Sequence, residues 1–69
     1  MVARTFSAVI RKEEDLYVAA CPEVGTVSQG STVEEAVANL REATELYLEE
    51  FPVAGRGPVF LATFEVTHA

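Results

Sequence analysis

The sequence predicts one α+β domain of order β-β-β-α-β, and three observations lead there. Two-residue alternation of apolar side chains runs through Thr5–Lys12 and Leu16–Cys21. A helix-start signal at Thr32 opens a stripe of apolar residues with three- and four-residue spacing. A final apolar run, Val59–Val66, follows a loop bounded by two prolines.

The first strand, TFSAVIRK, puts Phe6, Ala8 and Ile10 on one face and Ser7, Val9 and Arg11 on the other. Glu13–Asp15 form a polar break of hairpin length. The second strand, LYVAAC, sets Leu16, Val18 and Ala20 opposite Tyr17, Ala19 and Cys21, and Pro22 ends it because proline cannot donate to the ladder. PEVG reads as a turn with Gly25 supplying backbone freedom, and TVSQG, residues 26–30, as a short third strand. Short turns between consecutive strands make an antiparallel meander.

The helix, within Ser31–Glu50, has a capping box: Thr32 caps with its hydroxyl and Glu35 stands three positions on. Glu34 and Glu35 complement the positive end of the helix dipole. Val33, Ala36, Val37, Leu40, Thr44, Tyr47 and Phe51 trace the core-facing stripe, and Pro52 stops the helix. Residues 52–58 read as a loop. Val59–Val66 is expected as the fourth strand, parallel to the first and beside it, giving order 3-2-1-4 by a right-handed crossover. Its apolar residues fall on both faces, which calls for burial on both sides or for cover by another chain. A single helix covers one sheet face only, so a homo-oligomer, dimer or tetramer, is expected.

A chain of 69 residues is one domain, 1–69, and a domain this small buries only about 60% of its unfolded surface. The formal net charge is −6, unevenly spread. Residues 1–12 carry only the basic Arg4, Arg11 and Lys12, whereas residues 13–50 hold ten carboxylates against Arg41. That field disfavours direct nucleic-acid binding and attracts basic protein surfaces. No stretch resembles a signal peptide or approaches the roughly 20 apolar residues of a membrane span. A cytoplasmic protein with no membrane partner is expected.

The search for chemistry finds no catalytic, cofactor-binding or metal-ligating set, and no enzyme activity is expected. Cys21 is the only cysteine, which excludes an intrachain disulfide and a cysteine metal cluster; its simplest role is a small buried hydrophobe. His68 is next to last and lacks the positioning a catalytic base needs. The element order is similar to the start of the ribonuclease-H-like fold, but the only aspartate, Asp15, sits in a turn, and among the strands only Glu65 is acidic within an apolar run. The outer helix face carries Glu34, Ala38, Arg41, Glu42, Glu45 and Glu49, with Leu46 placed toward it. Surface glutamates serve a helix in their own right, and Arg41 can pair with Glu45. The excess of acid and an outward leucine nevertheless make Glu34, Glu42, Glu45, Leu46 and Glu49 the candidate partner-binding residues. The EED turn and Glu23 form a second acidic candidate.

The segment CPEVGTVSQGSTVEEAVANLREATELYLEE resembles the HicB antitoxin family. Glu34, Glu35, Ala36, Asn39, Glu42, Ala43, Leu46, Tyr47, Leu48 and Glu49 stand where the family helix reads E-E-A-x-x-N-x-x-E-A-x-x-L-Y-L-E. SQGST stands where the family has T-x-G-D-T, with Ser31 for the usual aspartate and Thr26 where cysteine is common. With the preceding hairpin, the likeness covers roughly residues 5–50. It implies a degraded ribonuclease-H-like fold without catalysis and a role in toxin–antitoxin systems. The implied partner is a small basic HicA-type ribonuclease toxin that cleaves mRNA and that the antitoxin binds and masks. Many HicB proteins continue into a DNA-binding domain, and this chain, ending at Ala69, is expected to act without one. The competing expectation is a stand-alone oligomeric HicB-like module that regulates or binds a ligand without a toxin.

Overall fold

The computed structural model describes residues 4–52 and 59–68. Three strands, β1 (Val9–Glu13), β2 (Leu16–Cys21) and β3 (Thr26–Gly30), form an antiparallel sheet of order β1-β2-β3, and α1 (Val33–Glu50) packs on one face of it, over β3 and β2. The α+β class and the meander are as the alternation predicts. β2 and β3 have the expected bounds.

β1 is shorter at its start than the expected 5–12. Its first ladder pair is Val9 with Ala20, and β2 ends one residue later at Cys21 before Pro22, so the chain ahead of Val9 has almost no strand left to pair with. Phe6, Ala8 and Ile10 still pack against the core, as their alternation requires. The β1–β2 loop is the residue pair Glu14 and Asp15, and Glu14 takes a positive φ of 57°. Two-residue hairpin loops need such a conformation, but a side chain there costs about 1 kcal/mol or more. Glu14→Gly is therefore expected to raise stability by up to about 1 kcal/mol, read as a shift of the urea midpoint at unchanged slope. Gly25, at φ 87°, serves the second turn, where its N–H donates to the Cys21 carbonyl at 2.8 Å.

The helix begins as the capping box predicts. The Glu35 N–H donates to the Thr32 hydroxyl at 3.0 Å. The Glu35 carboxylate reaches back one residue beyond the cap and accepts from the Ser31 N–H at 2.7 Å and the Ser31 hydroxyl at 2.9 Å. These bonds, the backbone one foremost, hold the Glu35 carboxyl below its ordinary value of 4.5. A carboxyl depressed in the folded state stabilises fully above the ordinary carboxylate range, and that share is lost as pH falls through the lower folded value. Thr32→Ala is expected to cost about 1 kcal/mol, a fall of about 4–8 °C in Tm. Glu35→Gln is expected to flatten the acid limb of a plot of Tm against pH. At the other end the Phe51 N–H donates to the Tyr47 carbonyl at 2.8 Å, the two rings lie 5.0 Å apart, and Pro52 follows.

The buried core is Ala19, Cys21, Ala36 and Leu40, joined by Thr44, whose hydroxyl is 2.7 Å from that of Thr26. The apolar stripe of α1 is narrower than its spacing predicts. Ala36, Leu40 and Thr44 are buried, whereas Val33 and Phe51, at the two ends of the helix, and Val37, on one flank of the stripe, stay exposed. Cys21 is the buried apolar residue expected of it.

The expected fourth strand is not formed in this chain. Residues 59–68 belong to no strand, pair with nothing in the sheet and are exposed throughout. A strand exists only through a partner, and among the described residues nothing pairs with the outer edge of β1. Most of the expected 52–58 loop, residues 53–58, lies outside the described residues.

Candidate functional site

Alternation along the strands divides the sheet into two faces. Toward α1 point Ile10, Tyr17, Ala19 and Cys21. Away from it lie Val9, Leu16, Val18, Ala20 and Val27, aligned by the register Val9–Ala20–Val27, Arg11–Val18 and Glu13–Leu16. No element among the described residues covers that second face, and a shallow depression there is lined by Val9, Arg11, Val18 and Ala20.

The acidic candidates on α1 are all at the surface. Glu34, Glu42, Glu45 and Glu49 are exposed, and Leu46, at the margin of that acidic flank, is 59% exposed. Arg41 Nε lies 3.6 Å from Glu45 Oε2, but both side chains are well solvated and the pair is worth little. The last helical turn holds no basic residue, so the negative end of the helix dipole adds to the field of Glu49 and Glu50.

The acidic turns behave differently from one another. Glu13 is bridged to Arg11 at 2.6 Å, leaving Glu14 and Asp15 at the hairpin tip. Tyr17 pairs with Gly30, so that tip lies at the same end of the sheet as the start of α1. Glu23 does not belong to an outward acidic surface. Both of its carboxylate oxygens accept from the Ser7 N–H at 3.0 Å, and Oε1 also lies 3.3 Å from the Cys21 thiol. Burial pushes the Glu23 carboxyl up, but the Ser7 and Cys21 hydrogen bonds outweigh it and leave the group below its ordinary value. Glu23 thus ties the chain ahead of β1 to the β2–β3 turn. Nothing in a PEVG turn signals a bond sixteen residues upstream.

That tie shapes a groove of about 360 Å³ between the chain ahead of β1 and α1. Phe6 and Ala8 form one wall, Val37, Leu40 and Leu48 the other, and Cys21 also lines it. Its rim carries Arg41 and Glu45, so the groove borders the acidic flank. The sequence stripe contains Val37 and Leu40 but gives no sign that one side of it is left open.

Among the described residues, no three or more His, Cys, Asp or Glu side chains are grouped to hold a metal ion, and no helix is long and apolar enough to cross a membrane. His68 is exposed. The arrangement offers shape, charge and apolar surface to another macromolecule.

No family model and no solved structure matches the chain. Two relatives do. A UPF0150 protein of Helicobacter pylori is 54% identical over 43 residues, 61% of this chain and 60% of that protein. A UPF0150 protein of Synechocystis is 45% identical over 56 residues, 78% of this chain and 70% of that protein. With nearly half the residues shared across most of both sequences, the chain belongs to the UPF0150 family.

Proposed function

We propose that the protein is a HicB-like antitoxin that binds and masks a small basic HicA-type ribonuclease toxin. The observation that carries this reading is the exposed flank of α1, where Glu34, Glu42, Glu45 and Glu49 share one side of the helix with the outward Leu46 at its margin. Carboxylates of one sign speed the encounter with a basic surface, and a leucine beside them anchors the docked state. The helix motif shared with the HicB family supports it independently of the geometry. In this reading the chain acts as a homo-oligomer, a dimer or tetramer, in the cytoplasm, without chemistry of its own and without direct contact to nucleic acid. The fold then corresponds to the ribonuclease-H-like arrangement emptied of its active site.

The test is capture of partners from the cell extract with this chain as bait, washed at low and then high salt. Recovery of a small basic protein whose ribonuclease activity the chain inhibits is the expected result. Recovery of the chain alone, as a defined oligomer, overturns the antitoxin reading and favours a stand-alone regulatory or ligand-binding module.

A further inference from the structure

The groove beside β1 and the apolar segment 59–66 are complementary, and each lacks a counterpart in the single chain. Phe60 and Phe64 are both 86% exposed, and Leu61 and Val66 lie mostly in solvent. Two-residue alternation puts Phe60, Ala62, Phe64 and Val66 on one side of an extended strand and Val59, Leu61, Thr63 and Glu65 on the other. The first set is wholly apolar and matches the apolar part of the groove lining, Phe6, Ala8, Val37, Leu40 and Leu48. A cavity of about 150 Å³ accommodates a benzene ring. The groove, at about 360 Å³, therefore has room for two rings.

The two edges of the sheet are not equivalent. On β3 the Gln29 carbonyl is already taken by the Asn39 side-chain amide at 2.8 Å, and α1 lies over that strand. β1 is the other edge strand, and the groove opens on its side. Eight residues in a strand span about 26 Å, enough to run along β1 and the chain that leads into it.

The geometry points to residues 59–66 of one copy docking as a fourth strand, parallel to β1, on a second copy of this chain. Phe60 and Phe64 enter the second copy's groove, and the exchange is reciprocal. Three observations favour a second copy over the chain's own groove. The segment stands free of its own sheet although its sequence is strongly apolar. The radius of gyration, 14.0 Å, exceeds the roughly 11 Å of a compact domain of this length. Proline at 52 and at 58 biases the residue before each toward extended backbone, which opposes a tight turn back onto the chain's own sheet. A reciprocal exchange also closes a two-fold dimer and removes the open β1 edge from both partners. The other side of the added strand would set Glu65 on the same sheet face as Arg11. The inference rests on the oligomer reading above and is independent of any toxin.

The experiment is isotope-filtered NMR on a mixture of labelled and unlabelled full-length chain, with the mass in solution followed by sedimentation. Expected are a dimer and intermolecular contacts from the Val37, Leu40 and Leu48 methyls to the Phe60 and Phe64 rings. The double variant Phe60→Asp with Phe64→Asp is expected to keep its helical circular dichroism and to weaken dimerisation at least about a hundredfold. The same ring contacts found only within one chain overturn the proposal. A dimer without them also overturns it and leaves the oligomer reading standing, with the uncovered sheet face as its seat. A monomer at all concentrations overturns both.

Discussion

Gly30→Ala is expected to destabilise the fold by about 1–3 kcal/mol, toward the upper end of what overpacking costs. A Cβ at Gly30 would lie 2.6 Å from the Ala36 nitrogen and 2.9 Å from the Glu35 carbonyl carbon, both backbone atoms of the first helical turn. Neither can swing aside as a side chain would. The Ala36 N–H already donates to the Thr32 carbonyl at 2.9 Å, so moving it away breaks the bond that starts the helix. A domain of this size holds only about 3–10 kcal/mol in total. Loss of that size corresponds to a fall in Tm on the order of 10–20 °C, checked by calorimetry or thermal circular dichroism. An unchanged Tm would mean that the helix does not seat so closely on the end of β3. Gly25 is a contrast: no atom lies within 4 Å of its Cβ position, and substitution there is opposed by the positive φ alone.

Charge reversal on α1 gives the second large effect. If the chain binds a basic toxin as proposed, the triple variant Glu42→Lys, Glu45→Lys and Glu49→Lys is expected to slow that association by about 10–1000-fold at low ionic strength. The dependence of the rate on salt should shrink with it, because screening acts on the same field. Leu46→Ala should leave the association rate nearly intact and raise the dissociation rate. Stopped-flow binding at two salt concentrations separates the two. Unchanged rates in the triple variant would move the interface off this flank, to the groove or the uncovered sheet face. The helix tolerates the change, since these residues are exposed and lysine is a good helix former.

The local part of the fold was legible in the sequence because its causes are local. Thr32 and Glu35 announce the helix start through bonds that span three or four residues, and Pro52 announces its end. β2 and β3 are bracketed by turn residues on both sides. Alternation alone overextends β1 at its start, because its length depends on where its partner ends, at Cys21. The fourth strand failed in the single chain for the same reason, on a larger scale: apolar alternation shows what a strand wants to bury, not which chain supplies the surface. Of the candidate site, Glu34, Glu42, Glu45, Leu46 and Glu49 lie at the surface as helical spacing requires. Glu23 went the other way, because its role is set by the proximity of Ser7, which only the folded meander creates.

The sheet order β1-β2-β3 repeats the order of synthesis, and α1 lies on the last strand made before it. Each new element therefore meets its principal neighbour as soon as it leaves the ribosome. Short sequence separation between contacting residues makes for rapid folding, and loop closure costs little when the loops are two to four residues long. The contacts that build the sheet and seat the helix on it involve none of residues 59–66, so the meander and helix can form without that segment. If residues 59–66 exchange between copies as proposed, that step follows the folding of each chain and runs at a rate set by local protein concentration.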